Sequence, residues 1–141
     1  MEEVSQYVGI DVSKASLDVY IRPVGKALKV TNTESGITDL IEQIKSYQIN
    51  LIVLEATGGL ERQAIRQLQA AKFPVALINP RIGRNFAKAT GKLAKTDAID
   101  AQILAHFGEA MKPMVLAIES EGASQLSELI SRRRQLVEMV T

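Results

Sequence analysis

Four acidic residues stand where a carboxylate is either awkward or paired. Asp11 comes at the far end of the apolar run Val8-Gly9-Ile10, where burial of an unpartnered aspartate is costly. Glu55 closes the apolar run Leu51-Ile52-Val53-Leu54 in the same way, and Asp97 and Asp100 lie three apart at the opening of a helical pattern. That spacing puts two carboxylates on neighbouring turns of one helix face. Were the four to converge, each close pair would repel by about 4 kcal/mol at an intermediate dielectric, so protons or divalent cations must compensate. Oxygen-only donors suit magnesium, with manganese as a substitute, and magnesium keeps waters or substrate phosphates in its shell. Two such ions can stabilise the attacking and leaving oxygens of phosphoryl transfer. Other chemistries are closed off: there is no Cys for thiolate ligation, and His106, the one His, cannot build a His-based metal site.

The surroundings of the acids add a second signal. Between Asn79 and Thr96 the chain carries five basic residues, Arg81, Arg84, Lys88, Lys92 and Lys95, and no acid, directly ahead of Asp97. Such a segment suits a site that holds a polyanion beside a bound cation. Each feature also has a plainer explanation. Asp11 fits a turn at a strand end, Glu55 a helix cap, Asp97 and Asp100 the helix dipole, and the basic run a solvated helix face. Asp18 reads most simply as a solvent-facing residue of a second strand, and His106 as exposed or near a helix end.

These residues need a scaffold, and 141 residues suffice for one domain with one core. Hydrophobic residues make up 46% and charged residues 23%, as in ordinary globular chains. No apolar run approaches the roughly 20 residues that span a bilayer, and the start Met1-Glu2-Glu3 lacks the features of a signal peptide, so a cytoplasmic location is expected. Net charge is +1 and by itself says little about partners.

Residues 7–12, 17–21 and 27–31 read as three strands on short links, hence an antiparallel meander. Ile37, Leu40, Ile41, Ile44 and Gln48 recur at helical spacing, with Ser35 and Gly36 near the cap. Residues 50–54 and 75–78 are continuously apolar, as in strands buried on both faces. The stripe Leu60, Ala64, Leu68 and Ala71 between them predicts a crossover helix and parallel pairing. Asn79-Pro80 opens another helix, ending near Gly91. Thr96 is expected to cap a helix from Asp97 to about Phe107. The expected fold is α/β: a mixed five-stranded sheet, a three-strand meander plus two parallel strands, flanked by helices. From Leu126 onward apolar residues follow heptad-like spacing up to Thr141, so residues 119–141 are expected to begin a coiled-coil or linker helix of a longer protein, with homo-oligomerisation through that helix.

In order, Gly9-Ile10-Asp11-Val12-Ser13-Lys14 with Leu17-Asp18-Val19, Leu54-Glu55-Ala56-Thr57-Gly58, Asn79-Pro80-Arg81 and Lys95-Thr96-Asp97-Ala98-Ile99-Asp100-Ala101 resemble the amino-terminal domain of DEDD-type insertion-sequence transposases. This is the IS110 group, which includes the Piv and MooV invertases. The resemblance implies a RuvC-like domain of the RNase H-like fold over residues 1–118, with Asp11, Glu55, Asp97 and Asp100 as catalytic, magnesium-binding acids. It further implies DNA strand cleavage and transfer, a nucleophilic Ser on a carboxy-terminal domain that this chain does not include, and a structured guide RNA encoded by the element. Lys14, Arg81, Arg84, Lys88, Lys92 and Lys95 are the expected phosphate contacts, with no membrane association. Other readings remain open beside it: a Holliday-junction resolvase or nuclease on the same fold that uses water, an ATP-binding domain of the actin and sugar-kinase type, and a dimerisation module. Against the ATP-binding reading, Val12-Ser13-Lys14 lacks the glycines that let a backbone approach phosphates.

Overall fold

The computed structural model of the protein describes residues 4–91 and 100–117. Along the chain these form β1 (Ser5–Val12), β2 (Ser16–Arg22), β3 (Lys26–Thr31), α1 (Glu34–Ile44), β4 (Gln48–Glu55), α2 (Arg62–Ala70), β5 (Val75–Ile78), α3 (Pro80–Ala89) and α4 (Ala101–Met111). The strands make one sheet in the order β3-β2-β1-β4-β5. β1, β2 and β3 pair antiparallel, and β1–β4 and β4–β5 pair parallel. The meander and the parallel pair are thus arranged as the apolar patterns predict.

Strand alternation divides the sheet into two faces. Val8, Ile10, Val12, Ile52 and Leu54 point to one side, where Ile37, Leu40 and Ile44 of α1 and Ala64 and Leu68 of α2 close over them. Tyr7, Leu51, Val53, Ala76 and Ile78 point to the other, against Ala87 of α3 and Ile103, Leu104 and Phe107 of α4. β1 and β4 are buried on both faces, which accounts for their unbroken apolar runs. Each fully buried Leu or Ile contributes about 1.5–3 kcal/mol relative to an exposed one, so both layers anchor the central strands.

Two glycines set how closely α4 lies on the sheet. A Cβ on Gly9 would collide with the Ala101 carbonyl and the Ala105 amide and come 2.8 Å from Leu104 Cβ. One on Gly108 would come 2.8 Å from Val53 Cγ2. The helix backbone therefore seats directly on β1, a contact that only glycine permits.

Four expected element boundaries differ. α4 begins at Ala101, not at Asp97, because Asp100 is extended (φ −117°, ψ 177°) and caps the helix, its Oδ1 accepting from Ile103 N at 2.9 Å. The helix also runs past Phe107 to Met111, since Gly108 is held inside it by packing on Val53. Thr33 caps α1 through Gly36 N at 3.0 Å, and Gln48 belongs to β4 instead of α1. Thr96, Asp97, Lys92, Lys95 and the segment 119–141 lie outside the described residues.

Candidate metal centre and nucleic-acid interface

The site forms where one face of the sheet meets its carboxyl edge. Tyr7, Gly9 and Asp11 alternate onto the α4 side of β1, and Leu51, Val53 and Glu55 onto the same side of β4. The parallel register Ile10↔Leu54 makes Asp11 and Glu55 the next neighbouring pair, at the carboxyl ends of both strands. Strand ends of this kind form the usual ligand crevice of open α/β sheets. Close seating of α4 on Gly9 then brings the helix start, and with it Asp100, against Asp11.

The electrostatics of the three described acids reflect that convergence. Burial pushes the Asp11 carboxyl above its ordinary value, and the charges of Asp18 and Asp100 push it further in the same direction. Burial also raises Glu55; Asp11 adds to the rise, and the Arg84 guanidinium on α3 opposes it. Glu55 Oε2 is buried and accepts no hydrogen bond, an arrangement that costs about 1–3 kcal/mol for an ordinary polar group and more for a charged one. An oxygen-rich donor set with an orphaned carboxylate oxygen fits a hard divalent cation in chemistry. Among the described residues, however, no three acidic or imidazole side chains lie close enough to hold an ion on their own. Asp97, the remaining member of the expected quartet, lies outside them. Asp100 Oδ1 is engaged in its helix cap.

Asp18 is where the sequence expectation falls short. It is half-exposed, yet it lies directly across from Asp11 in the β1–β2 register, so both side chains point to the α4 face. It borders, with Asp11, Tyr20, Ala27, Asp100 and Gln102, a recess of about 240 Å³ beside the site. The signal was present in the sequence: Leu17, Val19 and Ile21 alternate inward, which leaves Asp18 on the face of Asp11. His106, expected to be exposed or terminal, instead lies within α4, half-buried with its ring edge-on to Phe86 at 4.9 Å between centroids.

The basic residues flank the acids. Asn79 caps α3 through Arg81 N at 2.8 Å and Pro80 takes the first turn, as predicted. Arg81 and Lys88 are exposed, and Arg84 is half-buried on the side where its charge reaches Glu55. Lys14 is exposed in the β1–β2 turn, which Ser13 closes by bonding Ser16 O from its amide and its Oγ, each at 2.9 Å.

The profile of a family described as transposase, of the DEDD IS110 type, matches residues 8–141. The chain belongs to the IS110 family of DEDD transposases. The pilin gene-inverting protein of Moraxella lacunata is 27% identical to this IS110-family chain, over 93% of the chain and 44% of the relative. The protein of the same description from Moraxella bovis gives the same figures. The chain therefore spans less than half the length of these curated relatives. Among solved structures, RuvC of Thermus thermophilus superposes with a TM-score of 0.56 at 14% identity, covering 79% of the chain and 99% of RuvC. The same protein in complex with a Holliday junction substrate gives 0.55 at 13%, covering 80% and 100%. The IS110-family domain thus has a RuvC-like fold. Among its described residues no helix is long and apolar enough to cross a membrane.

Proposed function

We propose that this IS110-family domain is the magnesium-dependent half of a DNA recombinase, acting in strand cleavage and transfer. The observation that carries the reading is the pair Asp11 and Glu55. They stand side by side at the ends of two parallel strands, each with a raised carboxyl, with a buried Glu55 oxygen lacking a hydrogen-bond donor. A shared cation offsets such charges, whereas an interior salt bridge would have been the self-contained solution.

In this reading Asp11 and Glu55 would hold magnesium, or manganese, from the sheet and Asp100 from the helix cap, with Asp97 as the fourth acid. A bound ion would supply Lewis-acid stabilisation of a phosphoryl oxygen. The α4 cap holds Asp100 Oδ1 and so keeps this carboxylate at the helix start, bordering the same recess as Asp11. Arg84 sits between the two kinds of group and joins the basic helix to the acids. Lys14, Arg81, Lys88, Lys92 and Lys95 hold phosphates, contributing affinity and register rather than sequence choice. The nucleophile is a Ser outside this chain, and a structured RNA from the element directs it to its DNA. Both of these steps rest on family resemblance.

Oligonucleotide binding with and without magnesium tests the proposal. The wild-type chain is expected to bind DNA in EDTA through its basic residues and more tightly when magnesium is added. Asp11→Ala and Asp97→Ala should lose only the magnesium-dependent increment, and Arg81→Ala with Lys88→Ala should lose the basal part. An increment that survives both acid substitutions would refute the assignment. Cleavage of a branched junction by this chain alone would instead favour a water-using resolvase.

A further inference from the structure

The acids belong to a row that crosses the whole sheet. Reading the registers outward from β5, Ile78 is opposite Glu55, Glu55 neighbours Asp11, Asp11 is opposite Asp18, and Asp18 is opposite Lys29 on the edge strand β3. Residues opposite one another share a face, so Lys29 lies on the α4 side with the acids. Leu28 and Val30, its neighbours in sequence, pack into the core on the other side. Ala27, Lys29 and Thr31 are all exposed, which leaves this strip of β3 open beside the recess at Asp18 and Tyr20.

We infer that a DNA strand crosses the sheet along this row, with Lys29 holding a phosphate on the flank opposite α3. This rests on the nucleic-acid reading above and adds a path to it. Strands lie about 4.8 Å apart, so Lys29 starts about 10 Å from Asp11 on one side, and the start of α3 lies a similar distance away on the other. That span matches a few nucleotides of one backbone, with the acids midway. A phosphate chain passing over a row of carboxylates needs positive charge at both ends; α3 provides it beyond the β5 end, Lys14 stands near the middle in the β1–β2 turn, and Lys29 is the lysine on this face at the β3 end. Lys29 is already oriented toward the row by Asp18, at 3.8 Å between Nζ and Oδ1, with both side chains at least half exposed. An ion pair so exposed is weak, and a phosphate can take the lysine from it.

The edge strand carries its own control. Lys26 has the same charge and the same strand but is opposite Ile21, which points into the other layer. Binding of the wild-type chain to a short fluorescein-labelled DNA duplex, followed by anisotropy across a salt series, distinguishes the two lysines. Lys29→Ala is expected to weaken binding about fivefold and to reduce the slope of log K against log salt by about 0.9, as for one lost phosphate contact. Lys26→Ala should leave both unchanged. Equal losses for the two lysines, or no loss for Lys29, would overturn the path. If Arg81→Ala still weakens binding in that case, the nucleic-acid reading survives without it; if wild type does not bind, or none of these residues matters, that reading fails too. A loss seen only with an RNA duplex would assign the row to RNA and likewise overturn the inference for DNA.

Discussion

Glu55 ends β4 and Glu61 ends the connection that follows it, yet the fold treats their charges in opposite ways. Glu61 is 7% exposed and its Oε1 accepts from Thr57 N and Gly59 N, each at 3.1 Å, and from the Thr57 hydroxyl. Burial raises its pKa, but these hydrogen bonds outweigh burial and hold the carboxyl below the usual glutamate value. Glu55 has a buried oxygen with no donor, and burial and Asp11 leave it above that value despite Arg84. One carboxylate is closed by its own loop and stiffens the turn into α2. The other is left open beside Asp11. A carboxyl closed by its own loop serves the fold, whereas one raised by burial and a like charge at a strand end marks a functional-site candidate.

Substitutions that act on one side of this contrast sharpen it. The largest expected effect is Gly9→Val, which forces α4 off β1 and costs about 3 kcal/mol or more, read as a fall in the urea midpoint. It would displace Asp100 from Asp11 while leaving the Glu61 loop intact. Glu61→Ala comes next. It strands three donors and is expected to lower stability by about 2 kcal/mol in the same measurement. Glu55→Gln should do the reverse in the absence of divalent ions, raising stability by about 0.5–1 kcal/mol, as is common where a site carries unfavourable charge. Equal destabilisation by Glu55→Gln and Glu61→Ala would break the contrast.

Acid titration gives the smallest and most graded test. Raised pKa values at Asp11 and Glu55 mean that their relative contribution to stability is fully present below the ordinary carboxyl range and is lost as pH rises through the raised values. The lowered Glu61 works oppositely: its contribution is present above the ordinary value and is lost as pH falls through the lowered one. Denaturation midpoints measured without divalent ions should therefore rise with acidification in Glu61→Gln relative to wild type, and that relative gain should shrink in the Glu61→Gln, Glu55→Gln double variant.

Much of the architecture was written in local patterns. The continuous apolar runs of β4 and β5, the short links of the meander, and Asn79-Pro80 at α3 each have one dominant physical reading, and each element formed as expected. The neighbouring placement of Asp11 and Glu55 was also legible, since both end apolar strands. What failed depended on competition between similar signals. Asp100, which the spacing puts inside a helix, caps α4 instead, and α4 seats on Gly9 through a contact between residues far apart in sequence. Alternation of Leu17, Val19 and Ile21 puts Asp18 on the outward face, which is also the face of Asp11; the pairing of the two is fixed by the β1–β2 register across the three-residue turn 13–15. His106 was misplaced because its partner ring, Phe86, belongs to another helix.

Whether the open carboxylates bind a cation decides between these two kinds of site, and magnesium titration by isothermal calorimetry measures it. Wild-type chain is expected to give a saturable binding isotherm, Asp11→Asn and Glu55→Gln to lose it, and Glu61→Gln to retain it. An isotherm unchanged by Asp11→Asn and Glu55→Gln would remove both residues from the metal centre.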